Sequence, residues 1–397
     1  MFVGNNEDGT NFNAKAWFVP SNGESYGYVA FGFEDGYAQG GMNDQGFFMD
    51  WATTEIQSIP YSKGQRYLRL NVFGYDFNEM ILRKSATVED AIALYRKFFL
   101  PEVNGHALLA DRSGRSVIVE WYKGKLQVLP ADNTVQFMTN INLWEYSVSD
   151  RNWIIDPRYN RLQAFFSNRN NQEASQEQIT AALESTYQIG SYSTGTIYSN
   201  IYNLTTGDVT TIYMRDRNNS ITWNLHEQLA KNKIQLFDLK DMFAANSSYP
   251  NLQDRNSQNV FGGAFAHLLY WVIGTLLGIL ATLAALYFFR RESRTKWVTA
   301  LLVTTAINVF ACMIFSHGLL KIGRYIRFQL TTYEKLLYEM PKIIILLTLV
   351  QIILLIFLWV QRQSRLLDRV IYSIHCTLLI IISLFVGWIF IVGEVIK

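Results

Sequence analysis

Cysteine is nearly absent from this sequence and is missing from its N-terminal part altogether. The two cysteines are Cys312 and Cys376, and both lie inside long apolar stretches. Residues 1–255 therefore hold no disulfide and no thiolate metal site. The sequence also lacks a G-x-S-x-G elbow, an H-E-x-x-H pair, a Walker loop and a Cys-x-x-Cys pair. These absences exclude the commonest signatures of serine hydrolases, zinc proteases, nucleotide triphosphatases and thiol oxidoreductases.

An excess of charge of one sign is lacking as well. The formal net charge is +2, and 17% of the residues are charged. Residues 1–255 contain no cluster of Lys and Arg, which argues against a nucleic-acid partner. An apolar leader is missing at the start, because residues 4–8 are too polar for the core of a signal peptide. We also expect no cofactor and no metal ion.

The distribution of apolar residues divides the chain in two. Residues up to about 255 are polar and aromatic, whereas the remainder is rich in Leu, Ile, Val, Phe and Ala. We predict a water-soluble domain over residues 1–255 and a membrane block over residues 256–397. Four runs of this block are long and apolar enough to cross ~30 Å of hydrocarbon as helices. They are residues 265–289, 297–320, 343–360 and 370–392.

Positive charge in the connections predicts the orientation of this multi-pass integral membrane protein. The connections after the first and third runs are rich in arginine, which favours the cytoplasm and places the soluble domain outside it. The connection between the second and third runs is also basic, which opposes this orientation. The cores of the runs lack Asp, Glu, Lys and Arg, so an anchor or partner-binding bundle is favoured over a transporter.

The order of predicted elements indicates an α+β domain with antiparallel sheets. Thr87 and Asp90 have the spacing of a helix capping box, as do Ser175 and Gln178. Helices are predicted at 88–99, 158–166 and 177–186. Strands are predicted from β-forming residues between turn signals. They are residues 16–19, 26–33, 46–51, 67–73, 107–110, 116–121, 125–129, 135–138, 197–203 and 209–214.

Short polar segments carry a resemblance to a known family. They are Gly-Asn-Asn-Glu-Asp at 4–8, Gln-Gly-Gly-Met-Asn-Asp-Gln-Gly-Phe at 39–47, the stretch 105–121, Met-Thr-Asn at 138–140 and Asp-Pro-Arg-Tyr-Asn-Arg-Leu at 156–162. In that order and at those gaps they resemble the linear-amide C–N hydrolases of the N-terminal-nucleophile type. That family includes penicillin V acylase, choloylglycine hydrolase and the acyl-CoA:6-aminopenicillanate acyltransferases. The resemblance covers about residues 1–215.

The resemblance implies an αββα sandwich that cleaves amides with the terminal cysteine of the processed chain. Such a chemistry is sound, because a free α-amine with a pKa near 7.7–8 accepts a thiol proton at neutral pH. Asp8 matches the acid that contacts the terminal amine, and Asn140 matches the amide that donates to the oxyanion. Arg158 matches the arginine that organises the surroundings of the nucleophile, with Arg161 close enough to compete.

Substrate contacts are expected from Asn43, Asp50 and Thr53. Plain structural roles compete with the catalytic ones: Asp8 would serve in a turn, and Asn140 would cap a strand end. One position departs from the family pattern, because Asn5 stands where the family commonly has arginine. The contact made by that arginine is lost or replaced here.

The nucleophile is the larger departure, since residues 1–255 contain no cysteine. Three explanations compete: a cysteine on a first strand upstream of Met1, a pseudoenzyme, or substitution by a hydroxyl such as that of Thr10. We favour the first and predict a membrane-anchored amidohydrolase or acyltransferase. Its partners would be a small-molecule amide or acyl substrate and the lipid bilayer. The alternatives are a catalytically inactive ligand-binding module on the same fold and an accessory domain of a membrane protein.

Overall fold

The protein divides into two compact units, which are described separately. In this computed structural model, the first comprises Met1–Leu70 and Tyr75–Ser257, and the second comprises Asn71–Gly74 and Gln258–Lys397. The predicted domain boundary at 255/256 lies outside the residues that the structure describes. The described residues are 1–9, 12–67, 76–131, 133–145, 154, 156–167, 173–188, 195–244, 270, 274–275, 277–278, 296–328, 331–361, 366, 369–370, 372–374, 376–377 and 380–384.

Strands dominate the described part of the first unit. In chain order they are β1 (Phe2–Gly9), β2 (Lys15–Val19), β3 (Tyr28–Gly32), β4 (Ala38–Asn43), β5 (Phe47–Ser58), β6 (Arg66–Tyr67), β7 (Phe98–Phe99), β8 (Glu102–Asp111), β9 (Ser116–Tyr122), β10 (Lys125–Pro130), β11 (Gly195–Asn203), β12 (Asp208–Tyr213), β13 (Ser220–Asn224) and β14 (Gln235–Asp238). The helices are α1 (Phe77–Lys84), α2 (Val88–Lys97), α3 (Pro157–Phe166), α4 (Gln176–Ser185), α5 (Leu225–Ala230) and α6 (Leu239–Met242).

Two antiparallel sheets pack face to face. The larger has the order β10-β9-β8-β5-β4-β3-β2-β14, and the smaller has the order β1-β11-β12-β13. Because alternate strand residues point to opposite faces, each sheet contributes one apolar face to a shared core. Phe48 of the larger sheet meets Tyr202 of the smaller one with ring centroids 4.9 Å apart. Fully burying each such side chain contributes roughly 1.5–3 kcal/mol.

Helices cover the outer faces of both sheets. Trp17 and Tyr28 point outward from the larger sheet, and each donates a 2.8 Å hydrogen bond to Glu79 of α1. Helix α4 covers the smaller sheet, where Leu183 packs in one cluster with Ile201. The layers are therefore helix, sheet, sheet, helix, which confirms the predicted α+β class and αββα sandwich.

Local sequence signals account for most of the predicted elements. The two capping boxes close as predicted, with Thr87 and Asp90 at α2 and Ser175 and Gln178 at α4. The hairpin of β8 and β9 turns through Gly114, whose φ of +93° favours glycine. The prediction of a strand at 135–138 is wrong: these residues have no strand partner in the described structure. Of the strand predicted at 67–73, residues 68–73 lie outside the described part.

The second unit contains two long helices among its described residues. They are α7 (Lys296–Ile322) and α8 (Thr332–Gln361), and a 3-10 segment, Gly323–Phe328, connects them. Leu302–Leu319 and Lys335–Val360 are long and apolar enough to cross a membrane, by length and composition. These correspond to the second and third of the four predicted spans. Most of the predicted spans 265–289 and 370–392 lies outside the described residues, and the described part of the chain contains two of the four predicted spans.

Candidate active site

A cleft of about 300 Å³ runs along β1, and residues 1–8 form one wall of it. We call it the β1 cleft. Residues 50–53 of β5 and the segment 133–140 form a facing part of its lining. Strand β1 is the edge strand of the smaller sheet in the described structure. An edge strand has backbone N–H and C=O groups without strand partners, so the cleft borders a polar strand edge.

Arg158 joins the two other residues predicted to be catalytic. Its Nη1 donates to Asp8 Oδ2 at 3.0 Å, and its Nη2 donates to Asn140 Oδ1 at 2.6 Å. The three side chains come from β1, from the segment after β10 and from α3, and all three line the β1 cleft. The structure thus brings Asp8, Asn140 and Arg158 together.

The start of α3 fixes the position of Arg158. Asp156 is the N-cap, and its Oδ1 accepts from the backbone N–H of Arg158 at 2.7 Å and of Tyr159 at 3.1 Å. Pro157 occupies the first turn, where its missing N–H is not needed. Arg161, the competing candidate, is exposed and does not line the cleft. The guanidinium at this site is therefore that of Arg158.

Asp8 is oriented by two donors and lies in a shielded environment. Thr196 Oγ1 donates to its Oδ1 at 2.6 Å, opposite the oxygen that Arg158 contacts. A register shift between Glu7 and Asp8 alters the alternation of β1 at this point. Burial raises the pKa of Asp8, and the Thr196 hydrogen bond and the charges of Arg158 and Arg215 offset only part of that effect.

The carboxamide of Asn140 has a fixed orientation. Its Oδ1 accepts from Arg158, and its Nδ2 donates to the carbonyl oxygen of Thr53 at 2.9 Å. An amide nitrogen carries two N–H groups. One is engaged with Thr53, and the other is available to an oxygen that enters the cleft. This arrangement suits a donor to a developing oxyanion.

A buried His–Glu pair holds the segment that carries Asn140. His106 Nε2 lies 2.7 Å from the carbonyl oxygen of Thr139, and its Nδ1 lies 3.1 Å from Glu120 Oε2. Glu120 also accepts from the backbone N–H groups of Leu143 and Trp144. Each ring nitrogen thus lies within hydrogen-bond distance of an oxygen, and the ring bridges the Thr139 carbonyl and the Glu120 carboxyl group. The pair ties residues 139–144 to β8 and β9.

Two carboxyl groups in the lining of the β1 cleft, those of Glu7 and Asp50, have raised pKa values. Burial raises the pKa of Glu7 well above its ordinary value, and the negative charges of Asp50, Asp8 and Asp35 raise it further. Burial also raises the pKa of Asp50 well above its ordinary value. Asn5 lies on the same strand, is 6% exposed, and its Oδ1 has no hydrogen-bond partner in the described structure. Glu7 and Asp50 therefore bind a proton more readily than exposed carboxyl groups do.

The predicted substrate contacts divide into two kinds. Asp50 and Thr53 line the β1 cleft, and Thr53 also holds Asn140 through its carbonyl group. Asn43 does not line the cleft. Its Nδ2 donates to Leu82 O and Ser85 O, and its Oδ1 accepts from two backbone N–H groups of the β4–β5 turn. Asn43 thus links this turn to the end of α1, and we leave it out of the proposed site.

Several residues of the site were not identified from the sequence. Thr196 is 188 positions from Asp8 along the chain, and no local pattern signals their contact. His106 and Glu120 lie in the segment 105–121 that carries the family resemblance, which was the available signal. Glu7 lies within the first polar segment, beside Asp8.

Comparison with known proteins relates the first unit to one family. Residues 11–184 match the linear amide C–N hydrolases, choloylglycine hydrolase family. The bile salt hydrolase/transferase of Clostridium perfringens (strain 13 / Type A) is 25% identical over 134 residues, which are 32% of this chain and 40% of that protein. The match thus spans less than half of the curated relative's length.

One solved structure supports the fold, and a second has a lower TM-score. A variant of the conjugated bile acid hydrolase from Clostridium perfringens is similar with a TM-score of 0.50 and 18% identity, over 62% of this chain and 95% of that one. Penicillin V acylase from Agrobacterium tumefaciens gives a TM-score of 0.47 and 16% identity, over 62% of this chain and 94% of that one.

Proposed function

We propose, from the match of residues 11–184 to the linear amide C–N hydrolases, choloylglycine hydrolase family, that the first unit is a domain of this kind and cleaves a small-molecule amide. The reaction is hydrolysis of the C–N bond, or transfer of the acyl group to another amine. The two long apolar helices support attachment of the enzyme to a membrane. The match to linear amide C–N hydrolases and the similarity to a bile salt hydrolase/transferase support a small-molecule amide as the substrate class.

The observation that carries this proposal is the bridge that Arg158 forms between Asp8 and Asn140. The bridge places a carboxylate and an amide donor at fixed positions on one cleft. A carboxylate is suited to hold an ammonium group, and an amide N–H is suited to stabilise an oxyanion. Plain roles in a turn or a strand cap would not require Arg158 to contact both.

We place the nucleophile on a segment that precedes residue 1 and pairs with the free edge of β1. The β1 cleft runs along this edge, and an extended segment can add to an exposed edge by backbone hydrogen bonds. Residues 1–257 contain no cysteine. A terminal cysteine on such a strand would supply both the thiol and the free amine that the chemistry needs.

In the proposed reaction, the thiol sulfur attacks the amide carbon while the thiol proton passes to the α-amine of the same cysteine. Asp8 holds the resulting ammonium, and Asn140 donates to the oxyanion. The ammonium then returns the proton to the departing amine nitrogen, which leaves a thioester. Water or an acceptor amine takes the acyl group and restores the thiol. Loss of one oxyanion donor in such a site costs about 10²–10³ in rate.

A second candidate function is ligand binding without catalysis. It is favoured by the absence of a thiol from the cleft and by the carboxyl groups of Glu7 and Asp50 in its lining, which depart from a purely apolar acyl pocket. In this case the Arg158 bridge would orient a bound amide that is never cleaved.

Hydrolysis of a panel of N-acyl amides separates the two candidates. The form extended by the sequence encoded upstream of Met1, after processing to a terminal cysteine, should release free amine. Arg158→Lys should lower that rate about tenfold or more, since one lysine cannot make both charge-assisted hydrogen bonds. Arg161→Lys, at an exposed position nearby, is the matched control. No amine release by the extended form, with amides still bound, would favour the binding module.

A further inference from the structure

A second cavity in the first unit has an unbalanced positive charge. It has a volume of about 490 Å³, and its lining includes Lys63, Arg96 and Lys125 but no acidic residue. We call it the basic cavity. It shares no lining residue with the β1 cleft. It is therefore a separate candidate site and does not depend on the proposed amidase function.

The three cations of the basic cavity lack counter-charges. All three are exposed residues, and none forms an ion pair with a carboxylate in the described part of the chain. Cations grouped in a concave surface repel one another and raise the local concentration of anions. Arginine in particular offers a planar set of donors that fits phosphate oxygens.

A buried hydroxyl adds a neutral donor to the same lining. Tyr95 is 2% exposed, lines the basic cavity, and its hydroxyl has no hydrogen-bond partner in the described structure. Its ring packs edge-on against Phe77 and Trp121, with centroids 5.1 and 5.6 Å apart, so it cannot turn away freely. Burial raises the pKa of Tyr95, which keeps the O–H group intact. A buried donor without an acceptor is costly, and a bound anion would supply one.

Aromatic residues mark the rim as an interfacial surface. Tyr61 lies in the chain between the lining residues Pro60 and Ser62 and is 49% exposed. It stacks on Tyr67, which is 65% exposed, at a centroid distance of 5.4 Å. Both rings also meet the buried Phe99 edge-on. Exposed tyrosines beside lysine and arginine are typical of surfaces that rest in the headgroup layer of a bilayer.

We propose that the basic cavity binds the phosphate headgroup of an anionic membrane phospholipid. The phosphate would lie between Lys63, Arg96 and Lys125 and accept from the Tyr95 hydroxyl. The apolar lining residues, such as Leu100 and Trp121, would contact the glycerol and upper acyl chains. Helices of membrane-spanning length on the same polypeptide would keep this unit near a bilayer surface.

Titration of the full chain in a neutral detergent tests the proposal. The probes are dihexanoyl phosphatidic acid, dihexanoyl phosphatidylcholine and inorganic phosphate, and the readout is the dissociation constant from calorimetry. Phosphatidic acid should bind more tightly than the other two. Arg96→Gln with Lys125→Gln should weaken it about tenfold or more, because charged hydrogen bonds are lost. Tyr95→Phe should weaken it by about 2–10-fold, the value of one neutral hydrogen bond.

Lys97→Gln is the matched control, because Lys97 is exposed nearby, lies over the Phe98 ring and does not line the basic cavity. It should leave the dissociation constant within about twofold. Equal binding of phosphatidic acid by the double variant and by Lys97→Gln would overturn the proposal. So would binding of inorganic phosphate as tight as that of phosphatidic acid, which would show a free-anion site. If the double variant fails to fold, Lys63→Gln in the surface loop provides the same comparison.

Discussion

Arg158 contacts Asp8 and Asn140 through two different nitrogens of one guanidinium, so the two side chains cannot shift independently. The positions of all three follow from the ordered polar segments of the sequence, once the family resemblance is recognised. Their partners do not follow. The Thr53 carbonyl and the Thr196 hydroxyl lie 87 and 188 positions from the groups that they contact, and only the folded sheets bring them close.

Asp50, in the lining of the β1 cleft, leads to a prediction at the scale of one residue. Burial raises the pKa of Asp50 in the folded state, so the native protein binds this proton more tightly than the unfolded chain does. Stability from this group is therefore complete below the unfolded pKa of ~3.9 and is lost as the pH rises through the raised folded pKa. Asp50→Asn removes this loss.

The measurement for Asp50→Asn is thermal unfolding at about pH 4 and about pH 8. We expect little change at the lower pH and a rise in Tm of about 2–4 °C at the higher one, which corresponds to about 1 kcal/mol. Asp241→Asn, at an exposed position of α6, is the control. A variant less stable than the parent at the higher pH would show that the ionised carboxylate has a partner that stabilises it.

At the scale of elements, the sequence predicts the helices and hairpins that local signals determine. It does not predict which distant strands pair. Helices α2 and α4 and the β8–β9 hairpin follow from caps and a glycine turn that lie within a few residues. Residues 135–138 have strand-forming side chains, yet they pair with no strand in the described structure and line the cleft instead. Strand propensity depends on the neighbours that a segment meets in the fold, so the side chains alone do not decide the structure. The pairing of β14 with β2 joins distant parts of the chain, so no local pattern predicts it.

The His106–Glu120 pair gives a prediction at this scale. Both side chains are essentially buried, and Glu120 accepts from two backbone N–H groups as well. Glu120→Gln should destabilise the first unit by about 1–3 kcal/mol, because it removes a buried carboxylate that bonds His106 and two backbone N–H groups. Denaturant unfolding measures this loss.

The exposed ion pair of Arg115 and Glu89 provides the comparison. Arg115→Gln should cost about 0–1 kcal/mol, since water screens that pair. Similar losses for the two variants would show that the buried pair does not secure the segment that carries Asn140.

At the scale of the whole molecule, the shift in composition near residue 255 separates the sheets from the apolar helices. Asn308 of α7 donates to two side chains of α8, Thr348 at 3.1 Å and Gln351 at 2.9 Å. The polar side chains of the two helices are thus hydrogen-bonded to each other. Such bonds hold helices together in a bilayer. This agrees with the proposed membrane anchor.

The arginine-rich connections give a proposed orientation that can be tested directly. Protease added outside intact cells should digest the first unit and leave a fragment containing the apolar helices. The basic connection between the second and third predicted spans opposes this orientation. Protection of the first unit until the cells are lysed, with a secreted control digested, would reverse the assignment.

The central claim is that the Asp8–Arg158–Asn140 cluster serves an N-terminal cysteine nucleophile. Intact-mass spectrometry after brief exposure to an activated acyl amide tests it most directly. The processed form with an upstream cysteine should gain the mass of one acyl group, and changing that cysteine to alanine should abolish the gain. Asp8→Asn should slow it, because the ammonium loses its carboxylate. Acylation of the chain that begins at Met1 would contradict the account, since residues 1–257 contain no thiol.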